Sequence, residues 1–280
     1  MINRNLLPLI LNYIKFLRIQ DWFYITGLAY LGFFLKTTQL DIKNLFFISF
    51  ISSLYLAHGY SINNYFDHQR NQANVAGQFK GEFNWQAGLF ISVGLFLVNV
   101  TLSFFYSKLI LLLVISGGVI SYLYSSTHIK FKSCFLFNII LNSTGFVILF
   151  LIGYLANKPI SVNALLLSGY VWLGIVPSQI IHLIVHNPDE KNFLFSLDLA
   201  FKYFYLSLLI WLLFSFAGFI STQRSAIFIL TLIFCLFQIL IIELFKCRNK
   251  FSLQKILRIR MIFRYANIIL GLILICFLFR

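Results

Sequence analysis

The residues of this chain that are best suited to carry out chemistry form a polar run at 63–71, where a long apolar segment ends. Polar groups near membrane depth cost several kcal/mol unless they find a partner, so such a run indicates a water-filled or ligand-filled cavity. Asn63, Asp67 and Asn71 are spaced i, i+4 and i+8, which places them on one face of a helix within about 12 Å. Three oxygen-bearing side chains on one stripe suit Mg²⁺ carrying a phosphate. The same residues could equally cap a hydrated helix end.

A second polar run, 182–192, ends a later apolar segment. His182 and His186 are spaced i, i+4 and could bind a transition metal, but Leu183 stands where the H-E-x-x-H protease pattern needs its general base. We therefore interpret His182 as a polar wall residue that hydrogen-bonds a substrate or a neighbouring helix.

Asp189 and Glu190 bring two carboxylates into this second run. Four apolar segments separate the two runs, so both are expected on the same side of the membrane, at matching positions in two halves of the chain. Such a correspondence often marks the site of a membrane protein built from related halves.

A basic loop at 124–133 supplies Lys130 and Lys132 on that same predicted side. Two ammonium groups there could neutralise a diphosphate leaving group. On the sequence alone, ordinary positive residues of a cytoplasmic loop are the favoured interpretation.

The composition requires that these residues be positioned by membrane helices. Of the 280 residues, 60% are hydrophobic and 11% charged, and the mean hydropathy is +0.88, which excludes a soluble domain. The formal net charge of +14 comes from singly spaced bases, and without a contiguous basic face it does not indicate a nucleic-acid partner. We predict an all-α polytopic protein, with the four isolated cysteines as packing residues.

Apolar runs of spanning length predict about nine transmembrane helices in one membrane domain, 1–280. Its pseudo-halves are about 1–126 and 133–245, followed by a last helix at 264–279. The runs cover about 22–36, 44–66, 87–106, 108–126, 133–156, 161–185, 201–220, 224–245 and 264–279. The first run lacks a small-residue cleavage pattern and is predicted to be a retained span.

The loops predict the orientation of the protein. The N-terminus and the loops after even-numbered spans carry 16 of the 22 Lys and Arg residues. The positive-inside rule then places the N-terminus and the polar runs in the cytoplasm and the C-terminus on the opposite side. The basic segment 246–264 is either an amphipathic helix on the leaflet or a simple loop.

Taken together, these motifs resemble the UbiA family of intramembrane prenyltransferases. That family carries N-D-x-x-D-x-x-x-D after its second helix, and this chain has Asn63, Asn64, Asp67 and Asn71 at those positions. Further matches follow along the chain, and they cover nearly all of it. They are the Arg-x-x-Asp-Trp entrance at Arg18, Asp21 and Trp22, the loop 129–133, the Asn-x-x-Gly-Phe helix at 142–146, and His182 with Pro188 and Asp189.

The resemblance implies a nine-helix fold with a lipid-facing cavity, in which two Mg²⁺ ions bridge the acidic motifs and an isoprenyl diphosphate. Asp67 and Asp189 would be the principal metal ligands and catalytic residues, with Glu190 and Asn63 assisting. The substrate-binding residues implied are Asn63, Asn64, Asn71, Lys130, Lys132 and His182.

Several positions depart from the family pattern. Asn64 and Asn71 replace two acids of the first motif, and Asn192 or Phe193 stands where another Asp is expected. The Lys-Pro-x-Arg-Pro stretch is replaced by 75–80. An amide keeps an oxygen ligand but removes a charge, so fewer anions would hold the metal.

The leading hypothesis is transfer of a prenyl group from an isoprenyl diphosphate, or a related polyprenyl lipid, to a lipophilic or aromatic acceptor within the membrane. The alternative is a catalytically impaired relative that binds a prenyl lipid or scaffolds a partner enzyme. A transporter is a third interpretation, although the interior helices lack the charges of a coupled proton path.

Overall fold

The computed structural model of the protein describes most of the chain. The described residues are 6–35, 41–70, 83–127, 131–157, 159–186, 197–222, 225–246 and 253–278. Within these ranges the protein is helical and contains no strand, as the composition predicts. The described helices divide into two compact units.

Unit 1 contains helices α1 to α7 and two short 3-10 turns. The helices are α1 Leu6–Leu17, α2 Ile19–Trp22, α3 Gly27–Phe34, α4 Ile42–Gln69, α5 Trp85–Tyr106, α6 Lys108–Ser125 and α7 Phe135–Leu155. The turns are Phe23–Thr26 and Phe131–Ser133.

Unit 2 contains the remaining four helices. They are α8 Val162–His186, α9 Leu197–Thr222, α10 Ser225–Lys246 and α11 Leu253–Leu278. Helix α9 packs against α8 and α10, and α11 packs against α8 and α10. The basic segment that was predicted as either an interfacial helix or a loop is helical from Leu253 onward and continues into the last apolar run without a break.

Seven described helices are long and apolar enough to cross a membrane. They correspond to the second through eighth predicted runs, which confirms the multi-pass architecture. The spans are Ile42–Gln69, Trp85–Tyr106, Lys108–Ser125, Phe135–Leu155, Val162–Ile184, Leu199–Gly218 and Ile227–Leu244.

The first predicted run differs from a simple span. The chain leaves α1 at Arg18, whose φ of 52° lies in the left-handed region, and passes through α2 and a 3-10 turn before α3 begins at Gly27. Because a side-chain-bearing residue rarely adopts this backbone, the break needs local contacts to hold it. Hydropathy carries no signal for such a break.

Glycine lets α3 and α7 approach each other at backbone distance in unit 1. A Cβ atom added to Gly32 would collide with the Phe150 carbonyl oxygen, and one added to Gly153 would collide with that of Ala29. Small residues at such contacts are typical of membrane helices. The hydrophobic effect does not drive helices together inside the lipid, so close van der Waals contact supplies the attraction.

Candidate functional site

The end of α4 places the first polar run in a partly buried position. The helix continues through Gln69, and the Arg70 backbone N–H donates to the Phe66 carbonyl oxygen at 3.1 Å. Asn63 and Asp67 therefore share a face, as their spacing predicts, and Asn63 Nδ2 donates to Asp67 Oδ2 at 3.2 Å. Asp67 is only 6% exposed, so its charge requires a partner.

Lys132 provides that partner from a different element. Its Nζ lies 2.6 Å from Asp67 Oδ1 and 2.7 Å from Oδ2, and it donates to Asn63 Oδ1 at 3.2 Å. Three oxygen atoms thus surround one ammonium group at the end of α4. The pair joins two of the sequence-predicted site residues that are 65 positions apart.

The 3-10 turn Phe131–Ser133 aims Lys132 at Asp67. Asn138, in the first turn of α7, donates from Nδ2 to the Lys132 carbonyl oxygen at 2.7 Å. The Lys132 ammonium also lies 5.9 Å from the centroid of the Tyr124 ring, within reach of a cation–π interaction. Asn138 is therefore a positioning residue that the sequence did not reveal.

Arg70 adds a second cation beside Asp67. Its Nη1 lies 3.7 Å from Asp67 Oδ1, while its Nη2 donates to the carbonyl oxygens of Ser125 at 2.9 Å and Ser126 at 2.8 Å. These carbonyls end α6, where the helix dipole favours a positive charge. Arg70 lies inside the polar run at 63–71, but the run gave no sign of this bridging role.

The surroundings of Lys132 have opposing effects on the pKa of its ammonium group. Burial lowers the pKa of the Lys132 ammonium, and the neighbouring Asp67 carboxylate opposes that shift. The positive charges of Arg70 and Arg18 add to the lowering of this pKa. Asp67 is thus the group that keeps a cation stable here.

The Arg-x-x-Asp-Trp motif forms the left-handed break after α1. Arg18 Nε pairs with Asp21 Oδ2 at 2.8 Å, and Trp22 Nε1 donates to the Leu17 carbonyl oxygen at 2.6 Å. The Arg18 guanidinium lies 5.2 Å from the centroid of the Tyr60 ring on α4. These contacts stabilise the break and hold a further cation near Lys132.

Asn64 faces α1. The residue is 3% exposed, and its Nδ2 donates to the Phe16 carbonyl oxygen at 2.8 Å. In this structure Asn64 joins α4 to α1, so its predicted contact with substrate stays a prediction.

The remaining predicted site residues belong to other parts of the chain. His182 lies in α8 of unit 2 and is partly buried. Four further residues lie outside the described residues: Asn71, Lys130, Asp189 and Glu190. Asn192 and Phe193, of the second motif, lie outside them as well.

The described donors fit one Mg²⁺ in their chemistry. Within the described part of the chain no group of three His, Cys, Asp or Glu side chains converges. The Asp67 carboxylate and the Asn63 amide oxygen do converge, on the Lys132 ammonium. Mg²⁺ commonly takes one or two protein oxygens and completes its shell with water and substrate phosphate, so this pair is compatible with it.

The model of the UbiA prenyltransferase family matches residues 24–268. The chain belongs to that family. No curated protein matches the sequence significantly.

Solved structures share this fold at low sequence identity. A digeranylgeranylglyceryl phosphate synthase is 18% identical, with a TM-score of 0.71 and coverage of 97% of this chain and 99% of that one. A UbiA homologue from Archaeoglobus fulgidus bound to DMAPP and Mg²⁺ is 14% identical, with a TM-score of 0.70, and covers 95% and 99%. The same homologue bound to GPP and Mg²⁺ is 15% identical, with a TM-score of 0.69 and the same coverage.

Proposed function

We propose that this chain transfers a prenyl group from an isoprenyl diphosphate to a lipophilic or aromatic acceptor within the membrane. The observation that carries the proposal is the contact of Lys132 with Asp67 and Asn63. These side chains come from two motifs that are far apart in sequence, and they meet as a carboxylate, an amide oxygen and a cation. A carboxylate and an amide oxygen are ligands that Mg²⁺ accepts, and a nearby cation can neutralise a diphosphate.

The reaction breaks the carbon–oxygen bond between the prenyl group and the diphosphate, and the diphosphate leaves with the electron pair. The allylic cation is captured by an electron-rich atom of the acceptor, which then loses a proton. When bound, Mg²⁺ would neutralise negative charge that develops on the leaving diphosphate.

The residues that would hold Mg²⁺ are Asp67, Asn63, Asp189 and Glu190, with Asn71 assisting. Lys130 and Lys132 would hold the phosphate oxygens. Asn64 would support the first motif, and His182 would line the acceptor pocket. The UbiA homologues with DMAPP and GPP make these two compounds the first donors to test.

We also propose that the site opens toward the cytoplasm. The excess of Lys and Arg on the loops next to the two polar runs supports this orientation. The C-terminus would then lie on the opposite side.

A second function, lipid binding or scaffolding without catalysis, is favoured by one observation. Lys132 already neutralises Asp67 within the protein, and amides stand at two positions where the family carries acids. A carboxylate that already has a lysine as its partner has less need of a metal ion.

The decisive experiment is binding and turnover in purified, reconstituted protein. A non-hydrolysable isoprenyl thiodiphosphate should bind only with Mg²⁺, and Asp67→Asn and Asp189→Asn should each abolish this binding. Pyrophosphate release from DMAPP or GPP, assayed with a panel of aromatic and lipid acceptors, should fall by roughly a hundredfold or more in Asp67→Asn.

Asp41→Asn is the matched control, because Asp41 is exposed at the opposite end of α4 and caps its N-terminus through a bond that Asn can also accept. Full turnover by Asp67→Ala would exclude the catalytic assignment. Binding that is indifferent to metal and to both substitutions, with no turnover, would establish the non-catalytic function.

A further inference from the structure

The Lys132 ammonium stands where a metal ion held by Asp67 and Asn63 would have to be. Both Asp67 oxygens contact it, at 2.6 and 2.7 Å, and the Asn63 amide oxygen contacts it at 3.2 Å. These are the oxygen atoms that the described residues offer to a metal at this point. One carboxylate cannot bind the Lys132 ammonium and a metal ion at the same time without weakening both contacts.

Lys132 also has no alternative anion close by among the described residues. The other cations of the cluster are Arg70, at 3.7 Å from Asp67, and Arg18, which is paired with Asp21. A lysine displaced from Asp67 would therefore lose the counter-charge that the described residues give it in a partly buried site, which is unfavourable. A diphosphate changes this balance, because it brings several negative charges within reach of the lysine.

Building on the proposed function, we propose that Lys132 acts as an internal competitor for the Asp67 metal position and leaves it only when a diphosphate is present to receive its ammonium group. Lys132 thereby couples the two ligands. The metal binds weakly alone, and the diphosphate tightens its binding by drawing Lys132 away from Asp67. The reverse coupling has the same magnitude by thermodynamic linkage.

This coupling has a consequence for the missing acids of the first motif. The amide at position 71, where the family carries an acid, removes a charge that would attract a free metal ion, and the lysine then competes more effectively for Asp67. The site is consequently protected from occupation by free divalent cations between substrates.

The test is equilibrium dialysis of Mn²⁺ against purified full-length protein, with and without inorganic pyrophosphate, with both chambers corrected for the Mn²⁺–pyrophosphate complex. Lys132→Met keeps the length of the side chain and removes the charge. It should bind Mn²⁺ alone roughly tenfold more tightly or better than the native protein, since a unit charge at contact distance in a partly buried site contributes at least that much. Pyrophosphate should strengthen Mn²⁺ binding in the native protein and much less in this variant.

Lys132→Gln provides a second neutral variant, with size-exclusion chromatography showing that each protein is folded, and Lys132→Arg should retain the weak binding of metal alone. Lys43→Met is the control, because Lys43 is exposed near the opposite end of α4. Equal Mn²⁺ affinity of the native protein and both neutral variants would overturn the inference while leaving the proposed function intact. Metal-independent binding of pyrophosphate to the native protein would also overturn it, with Lys132 then a permanent replacement for the metal. If no protein binds pyrophosphate under any condition, the proposed function fails as well.

Discussion

The end of α4 and the middle of α10 both bury amide side chains, but they treat them differently. At the end of α4, Asn63 donates to Asp67 and Asn64 donates to the Phe16 carbonyl oxygen. In α10, Gln238 is 0% exposed, and neither atom of its amide has a hydrogen-bond partner among the described residues.

The comparison distinguishes buried amides that have hydrogen-bond partners from buried amides that have none. A partnered amide fixes the distance between two elements, and around Asp67 these fixed distances position the charged groups. An unpartnered amide loses its hydration without compensation and lowers stability. Burial alone is therefore a poor guide to a functional residue, and the partners of the buried atom are the better one.

The strongest test of this contrast is Asn64→Asp, which restores the acid that the family carries at this position. The new carboxylate would face the Phe16 carbonyl oxygen in place of the amide donor, so one hydrogen bond is lost and a buried charge is left unpaired. We expect the free energy of unfolding to fall by about 3 kcal/mol, with no gain in turnover. Denaturant titration in lipid bicelles measures the first quantity, and pyrophosphate release measures the second.

Asn84→Asp is the control for that substitution, because the exposed Asn84 caps α5 through its side-chain oxygen and an Asp can do the same. If Asn64→Asp instead raised turnover, position 64 would contact the metal or the substrate, as the family resemblance implies.

A smaller loss is expected for Asn138→Leu. This change removes the 2.7 Å hydrogen bond that Asn138 Nδ2 donates to the Lys132 carbonyl oxygen. The turn that directs Lys132 toward Asp67 is thereby loosened. The expected cost is about 1.5 kcal/mol, together with weaker binding of a thiodiphosphate. A variant of unchanged stability and unchanged binding would show that the turn holds Lys132 without Asn138.

The smallest effect, and of opposite sign, is expected for Gln238→Leu. Replacing an amide that has no partner by an apolar group of similar size should raise the free energy of unfolding by about 1 kcal/mol. Turnover should not change. A clear loss of stability would instead mean that the Gln238 amide is satisfied by a bound molecule, and α10 would then resemble the end of α4.

Several features of this protein are predictable from the sequence because they depend on local spacing. Runs of about 20 apolar residues predict spans, and seven such helices are present among the described residues. The shared face of Asn63 and Asp67 follows from the pitch of a helix. Both predictions need only the order of residues along one element.

The contacts that complete the site depend on three-dimensional packing and carry no such signal. The bond from Asn64 ends on the main chain of Phe16, and every residue has a carbonyl oxygen, so no sequence pattern marks the acceptor. The pairing of Lys132 with Asp67 joins the 3-10 turn Phe131–Ser133 to the end of α4, and their approach is set by the packing of α4, α6 and α7. The sequence predicts that these two residues lie on the same side of the membrane, but it does not predict their contact.

The close contact of α3 with α7 affects the order in which the first unit can fold. Gly153 follows Gly32 by 121 residues, and at about 5–20 residues per second a ribosome needs on the order of ten seconds to make the intervening chain. During that interval the short helix α3 lacks the backbone surface that it later packs against. Helix α3 can therefore reach its final packing only after α7 has been made, and a slow step in the folding of α7 would delay the completion of the first unit.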